Sequence, residues 1–217
     1  MKIRVLIADD HQIVRQGLKN LLETQPDIEV VGEAEDGRTA FQLTKELIPD
    51  VIVMDVKMPT LNGIDASVRI HSEFPDIKII ALSMYGDVRF VTNMLKAGAC
   101  GYLLKDCAFE ELAQAIRKVK ANKTYLSPEA ANIIIKDYVA QGTDSGPTSP
   151  SGLTSREREI LQLLAEGKRS REIADLLHIS IKTVDSHRLQ VMHKLNFRSL
   201  ADLTKYAIRE GLTTLED

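Results

Sequence analysis

The first 121 residues alternate between short apolar runs and amphipathic stretches, and this alternation limits the fold more than any other feature of the chain. Five runs rich in Ile and Val have the length of strands that are buried on both faces. They lie at 3–8, 28–31, 51–54, 77–82 and 101–104. Between them, apolar residues recur at the three- and four-residue spacing of a helix. Five successive strand–helix units predict an α/β domain with a five-stranded parallel sheet and helices on both of its faces.

Composition limits the class of protein further. Of the 217 residues, 44% are hydrophobic and 27% are charged, which is typical of a soluble globular chain. No apolar run approaches the roughly 18 residues that span a membrane, and the segment that follows Met1 lacks the length and cleavage site of a signal peptide. We therefore expect a cytoplasmic protein with no membrane partner. Two cysteines, Cys100 and Cys107, are too few for a disulfide framework.

A polar stretch divides the chain. Gly, Ser, Thr and Pro dominate residues 141–152, which predicts a flexible linker. Before it, Ser127 and Pro128 can cap and begin a helix that reaches about Ala140. We predict a first domain at 1–121, a connector helix and linker at 122–152, and a second domain at 153–217.

Charged and polar side chains stand where four of the predicted strands end. These residues are Asp9, Asp10, Asp55, Ser83 and Lys105. The carboxyl ends of parallel strands meet at one edge of a sheet, so we expect the five side chains to converge there. Three clustered carboxylates repel one another unless a cation is present. Oxygen ligands alone, with no His or Cys nearby, suit Mg²⁺. A carboxylate can also attack phosphorus, and the Ser83 hydroxyl and Lys105 ammonium could then hold phosphoryl oxygens.

With this cluster the chain resembles the receiver domain of bacterial two-component response regulators, over residues 2–121. The motifs that carry the resemblance are Ile7-Ala8-Asp9-Asp10-His11, Asp55-Val-Lys-Met-Pro-Thr-Leu-Asn-Gly63, Leu82-Ser83 and Gly101-Tyr-Leu-Leu-Lys-Asp106. The resemblance implies a doubly wound, flavodoxin-like fold in which a histidine kinase phosphorylates Asp55. It implies a Mg²⁺ site formed by Asp9, Asp10, Asp55 and the backbone carbonyl of Lys57. It also assigns Ser83, Tyr102 and Lys105 to the phosphoryl-binding switch, with Tyr102 changing rotamer and turning inward on activation.

The C-terminal segment predicts a small all-α domain. Thr154 and Glu157 have the spacing of a capping box before an apolar stripe. Two short helices joined by a tight turn at His178 then describe a helix-turn-helix, with the longer helix from Ile181 to about Asn196. Although the whole chain has a net charge of −3, residues 168–198 carry seven Lys and Arg against three Asp and Glu. Such a local excess favours nucleic acid as the partner.

Residues 151–213 resemble the LuxR-type DNA-binding domain, and the whole chain resembles a NarL/FixJ-family response regulator. The resemblance, together with the polar face of the helix predicted from Ile181 to about Asn196, indicates a set of DNA contacts. These are Lys182, Thr183, Asp185, Ser186, His187, Leu189, Gln190 and Lys194. Thr183 and Lys194 would contact phosphates, whereas Asp185, Ser186 and Leu189 occupy positions that often meet bases. The expected partners are a histidine kinase, double-stranded promoter DNA and a second copy after phosphorylation, with RNA polymerase as a further possibility.

Two other classes of protein share parts of this pattern. A hydrolase of the haloacid dehalogenase type also uses an Asp nucleophile, but it needs a second Asp two residues later, where this chain has Lys57. A small-molecule sensor of the LuxR class would share the C-terminal domain but would lack the acidic cluster. We therefore expect a regulator and not an enzyme, apart from its promotion of its own Mg²⁺-dependent phosphorylation and dephosphorylation.

Overall fold

A parallel sheet organises the N-terminal part of the chain in this computed structural model, which describes residues 1–84, 86–141, 152–197 and 199–213. The chain forms two units, Met1–Asp144 and Ser145–Asp217. The strands of the first unit are β1 (Ile3–Ala8), β2 (Ile28–Ala34), β3 (Val51–Asp55), β4 (Lys78–Ser83), β5 (Gly101–Leu104) and β6 (Tyr125–Leu126). Its helices are α1 (Gln12–Glu23), α2 (Gly37–Leu47), α3 (Gly63–Glu73), α4 (Val88–Lys96), α5 (Lys105–Lys120) and α6 (Pro128–Gln141).

The sheet has the order β2-β1-β3-β4-β5-β6, and all of its strands pair in parallel. The predicted doubly wound α/β fold is therefore confirmed, with one difference. The sheet has six strands where the sequence predicted five, because Tyr125 and Leu126 add an edge strand beside Gly101 and Tyr102. Two residues are too few to show the alternation by which a strand is recognised.

The apolar core lies on both faces of the sheet. Successive side chains of a strand point to opposite faces, so Leu6 of β1 joins one cluster while Val5 and Ile7 join the other. Every residue of β3 is buried, as expected for a central strand covered on both sides. This two-sided burial stabilises the sheet and so determines the position of the edge at which its strands end.

The predicted connector helix is α6, and it packs on the first unit. Its Ala130 is fully buried, and Ile133 and Ile134 pack against the cluster that contains Tyr102. Most of the predicted linker, residues 142–151, lies outside the described residues. The domain boundaries drawn from the sequence stay predictions.

The second unit is helical. It contains α7 (Ser155–Ala165), α8 (Ser170–Leu177), α9 (Ile181–Lys194) and α10 (Leu200–Arg209). The predicted capping box between Thr154 and Glu157 begins α7. His178 ends α8 in the left-handed conformation and thereby makes the sharp turn that leads into α9. The all-α helix-turn-helix is confirmed. Among the described helices, none combines the length and apolar composition that crossing a membrane requires.

Candidate functional site

The carboxyl edge of the sheet brings the predicted acidic residues together around one ammonium group. Lys105 Nζ lies 2.7 Å from Asp9 Oδ2 and 2.7 Å from Asp55 Oδ2. Asp9 follows β1, Asp55 ends β3 and Lys105 begins α5, so three separate elements supply this group. The three side chains are almost completely buried. Buried charges of this kind require close partners of opposite sign, which the geometry provides.

Asp10 and His11 form the outer side of the same cluster. His11 Nδ1 lies 2.8 Å from Asp10 Oδ1 and 3.3 Å from Asp9 Oδ1. The side-chain ligand atoms of Asp9, Asp10, His11 and Asp55 all lie within 4.8 Å of one another. The sequence-based expectation that no histidine lies near the carboxylates is therefore wrong. The residue was visible next to Asp10, but the direction of its ring depends on a rotamer that the sequence does not specify. The three carboxylates supply the oxygen donors that a hard divalent cation requires.

Burial and, to a lesser extent, the nearby Asp9 carboxylate raise the pKa of Asp55, Lys105 opposes them, and the net result is a pKa of about 7. Burial lowers the pKa of Lys105, but the Asp55 and Asp9 carboxylates outweigh it and the net shift is upward. Lys105 therefore stays protonated and acts as the positive partner of the site. If a further negative charge binds at this edge, it needs either an additional cation or a Lys105 ammonium that has given up its contact with one of the two carboxylates.

Ser83 and Tyr102 lie on the neighbouring strands β4 and β5, and both are fully buried. Burial raises the pKa of the Tyr102 hydroxyl to about 12, while a hydrogen bond with the Ser83 side chain opposes that shift. The ring of Tyr102 therefore lies inside the protein. The expectation that this residue changes rotamer and turns inward on phosphorylation stays a prediction.

The loop between β3 and α3 carries the predicted carbonyl ligand, Lys57. Its backbone N–H donates to Asp55 Oδ1 over 3.3 Å, which holds the Lys57 backbone beside the carboxylate. The Gly63 N–H donates to the Val56 carbonyl over 3.0 Å and closes the loop. A methyl group on Gly63 would overlap the carbonyl oxygen of Asp55, so only glycine fits at this position.

The predicted DNA-contacting face lies on α9 of the second unit. Its exposed residues are Lys182, Asp185, Ser186, Leu189 and Gln190, while Thr183 and His187 are half-buried. Leu189 is 67% exposed, so its apolar side chain lies at the surface of this face. Asp185 accepts a hydrogen bond from the Ser170 hydroxyl over 2.9 Å, which links α8 to α9. A groove of about 630 Å³ borders this face, lined by Glu157, Leu189, Gln190, His193 and Lys194.

Lys194 stands apart from the other predicted DNA contacts, because its ammonium already has partners. Lys194 Nζ lies 2.7 Å from the buried Glu157 carboxylate and 3.1 Å from the Gly152 carbonyl. Burial raises the pKa of Glu157, but Lys194 and Thr154 outweigh that effect and lower it. No sequence pattern indicates this pair, since the two residues are 37 positions apart.

Comparison with known proteins agrees with this geometry. Residues 5–117 match the model of the response regulator receiver domain, and residues 151–207 match the model of bacterial regulatory proteins of the luxR family. The chain is 39% identical to the oxygen regulatory protein NreC of Staphylococcus carnosus over 214 residues, covering 97% of this chain and 99% of that protein. It is 36% identical to the transcriptional regulatory protein DegU of Brevibacillus brevis over 223 residues, covering 97% and 94%.

A solved structure extends the comparison to the fold. RcsB from Salmonella enterica serovar Typhimurium, bound to the promoter P1flhDC in the presence of the phosphomimetic BeF3−, superposes with a TM-score of 0.62. The identity is 29%, and the match covers 98% of this chain and 100% of that one. These findings favour the response-regulator interpretation over the hydrolase and small-molecule-sensor alternatives.

Proposed function

Because the chain belongs to the NarL/FixJ-type two-component response regulators, which join a receiver domain to a LuxR-type DNA-binding domain, we propose that phosphorylation of Asp55 controls its binding to promoter DNA. The chain is a regulator of transcription that acts by binding DNA. The observation that carries the proposal is the buried Asp55 carboxylate with the Lys105 ammonium 2.7 Å away. A histidine kinase is the proposed source of the phosphoryl group.

In the proposed transfer, an oxygen of the Asp55 carboxylate attacks the phosphorus of a phosphohistidine. The new P–O bond forms as the P–N bond breaks, and the histidine nitrogen keeps the electron pair. Lys105 then pairs with the negative phosphoryl oxygens, and the Ser83 hydroxyl donates a hydrogen bond to one of them. The protein promotes this reaction only on its own carboxylate, so it is not an enzyme with a separate substrate.

The proposed cofactor is Mg²⁺, held by Asp9, Asp10, Asp55 and the backbone carbonyl of Lys57. The donor set fits, since three carboxylates meet at one edge and the Lys57 backbone is held beside Asp55. When bound, the ion would supply positive charge that offsets the incoming phosphoryl group. Asp9 and Asp10 would orient the ion, while Lys105 balances the charge on the inner side.

Intact mass after incubation with acetyl phosphate and MgCl₂ tests the proposed acceptor. The wild type should gain one phosphoryl group, and Asp55→Asn should gain none because an amide cannot form the acyl phosphate. Asp27→Asn is the matched control, since Asp27 is a surface aspartate that pairs with Arg117. Equal labelling of wild type and Asp55→Asn would show that Asp55 is not the acceptor.

The proposed DNA contact is the exposed face of α9. Lys182 and Thr183 would contact phosphates, and Asp185, Ser186, Leu189 and Gln190 would meet base edges in the major groove. One recognition helix offers a small interface, so strong binding needs two copies on half-sites about one helical turn apart. We therefore propose that phosphorylation favours a homodimer, with RNA polymerase as a further partner at the promoter.

Sedimentation and DNA titration with and without BeF3− test the switch. With BeF3− and Mg²⁺ the full chain should shift from monomer to dimer, and its affinity for a target duplex should rise. An Asp55→Asn chain should show neither change, because it cannot hold the phosphoryl mimic. A monomer in both conditions, with unchanged DNA affinity, would defeat the proposed switch.

A further inference from the structure

The connector helix α6 packs on the first unit with one face only. Ala130, Ile133 and Ile134 recur at the three- and four-residue spacing of a single helix face. Ala130 is fully buried, and the two isoleucines pack against the apolar cluster that contains Tyr102. The next residue, Ile135, is 59% exposed. The docked face of α6 is therefore the face that carries Ile133.

Ile133 also contacts the loop that joins β4 to α4, residues 84–87. A methyl group built on Gly86 would lie only 3.0 Å from Ile133 Cδ1. The backbone of this glycine therefore lies within about 4.5 Å of the same atom, which is van der Waals contact. Only two residues separate Gly86 from Ser83, the last residue of β4. A shift of Ser83 must therefore move Gly86 and disturb its contact with α6.

The Ser83 hydroxyl and the Tyr102 hydroxyl share a hydrogen bond, and both side chains are fully buried. After the phosphorylation of Asp55 proposed above, on which this inference rests, the Ser83 hydroxyl must instead reach toward a phosphoryl oxygen at the end of β3. Strand β3 lies on one side of β4, whereas α6 contacts β5 and β6 on the other side. Movement of Ser83 toward β3 therefore draws Gly86 away from Ile133 and removes a packing partner of its Cδ1 atom.

We propose that Ile133 is a positioning residue that opposes phosphorylation of this receiver. It holds Gly86 in the resting arrangement of the loop and so keeps the Ser83 hydroxyl away from Asp55. Coupling between two events in one protein is reciprocal. A phosphoryl group at Asp55 must therefore loosen the packing of α6 to the same extent that docked α6 disfavours the phosphoryl group.

Ser127 provides the hinge for this loosening. Its backbone N–H donates to the Tyr102 carbonyl over 3.0 Å, and its buried hydroxyl accepts from the Ala130 N–H over 3.3 Å. These bonds do not involve the β4–α4 loop, so the start of α6 stays attached to β5 when the loop moves. The turns of α6 that follow Ala130 are released, and in sequence they continue toward the DNA-binding unit.

Titration of the full-length protein with BeF3− and Mg²⁺, followed by ¹⁹F NMR, tests the coupling. Ile133→Ala should lower the dissociation constant of BeF3− at least about fivefold, because the loop is no longer held. A purely structural role would not tighten the binding, since truncation of a packed side chain only removes contacts. Ile133→Leu should restore the wild-type constant. Ile135→Ala makes the same kind of truncation on the exposed side of α6, and this matched control should bind as the wild type does.

Hydrogen exchange of the wild type measures the reciprocal effect. With BeF3− and Mg²⁺, the amides of residues 131–136 should exchange at least about fivefold faster than without them. The amides of α2, which does not contact the β4–α4 loop or α6 among the described contacts, are the internal reference and should keep their rates.

The outcomes separate this inference from the proposed function. A BeF3− dissociation constant that is unchanged or raised in Ile133→Ala overturns the inference, as does exchange of α6 that BeF3− leaves unchanged or slows. If the wild type still binds BeF3− in that case and Asp55→Asn binds none, the proposed function stands and only the role of Ile133 is wrong. A wild type that binds no BeF3− overturns both.

Discussion

Asp55 is a single residue whose burial makes the stability of the receiver depend on pH. Its folded pKa of about 7 lies above its ordinary value of 3.8, chiefly because burial penalises the charged form. A group with a raised folded pKa contributes stability below its unfolded pKa and loses that contribution as pH rises through the folded pKa. For Asp55 the loss therefore runs from about pH 4 to about pH 7.

We expect Asp55→Asn to stabilise the first unit, and to do so more at pH 8 than at pH 5. The amide has no charge to bury, so above pH 7 the gain should be on the order of 4 kcal/mol, the equivalent of about 3 pKa units. Thermal unfolding with EDTA present measures it at both pH values. Asp27→Asn, at a surface ion pair, should not reproduce the gain at pH 8. A gain that shrinks as pH rises would contradict this account.

Lys194 and Lys182 are both basic residues of α9, but the structure separates their roles. Lys194→Ala leaves the buried Glu157 carboxylate without its ammonium partner, so we expect the second unit to lose about 1–2 kcal/mol in urea unfolding. Lys182 is exposed, and Lys182→Ala should leave the unfolding midpoint unchanged. Its DNA binding should instead show a slope of log K against log salt reduced by about 0.9. An unchanged midpoint for Lys194→Ala would show that the ion pair is not structural.

The sequence predicts which side chains converge at the site, but it does not predict the orientation and partner of every side chain. The convergence of Asp9, Asp55 and Lys105 was predictable, because the end of each parallel strand is fixed by its apolar run. The ring direction of His11, the buried ring of Tyr102 and the partner of Lys194 were not. Each of these depends on a rotamer or on a contact between residues distant in sequence, and neither leaves a periodic signal.

At the scale of elements, the β3–α3 loop depends on the close approach of two backbones. Gly63→Ala places a methyl group against the Asp55 carbonyl oxygen, which cannot rotate away as a side chain can. We expect this change to destabilise the first unit by about 1–3 kcal/mol and to slow labelling of Asp55 by acetyl phosphate. Urea unfolding and intact mass measure the two effects.

Gly86→Ala is the control for that change. A methyl group there would meet Ile133 Cδ1 at 3.0 Å, the end of a flexible side chain of α6 that can shift. Its unfolding free energy should change by less than about 1 kcal/mol. Equal losses for both glycine variants would show that the Asp55 carbonyl is not the cause.

Long periodic elements were predictable, and short ones were not. The five strands and the helices between them follow from runs of apolar residues, and α6 follows from Ser127 and Pro128 at its start. The edge strand Tyr125–Leu126 has no pattern of its own and exists because β5 offers it an unpaired edge. Its position is a consequence of the assembled sheet and not of local sequence.

At the scale of the whole molecule, each unit has its own apolar clusters. Two lie on the faces of the sheet, and two others are built from the helices of the second unit. We therefore expect two calorimetric transitions. Mg²⁺ with BeF3− should raise the transition temperature of the first unit, and a target duplex should raise that of the second unit. At a hundredfold excess over its Kd, each ligand should add about 3 kcal/mol to the free energy of unfolding of its unit. A single transition that both ligands shift equally would contradict this expectation.

The packing of α6 over Tyr102 has a consequence for exchanging output domains between regulators. A receiver cut at residue 121 would lose Leu126 and Ala130, which pack in the same apolar cluster as Tyr102, and would thereby uncover part of the ring of Tyr102. A hybrid regulator should therefore carry residues 1–141 of this chain and accept the foreign domain only after them. The part of the chain that leads to the DNA-binding unit thus belongs, by its packing, to the domain that receives the signal.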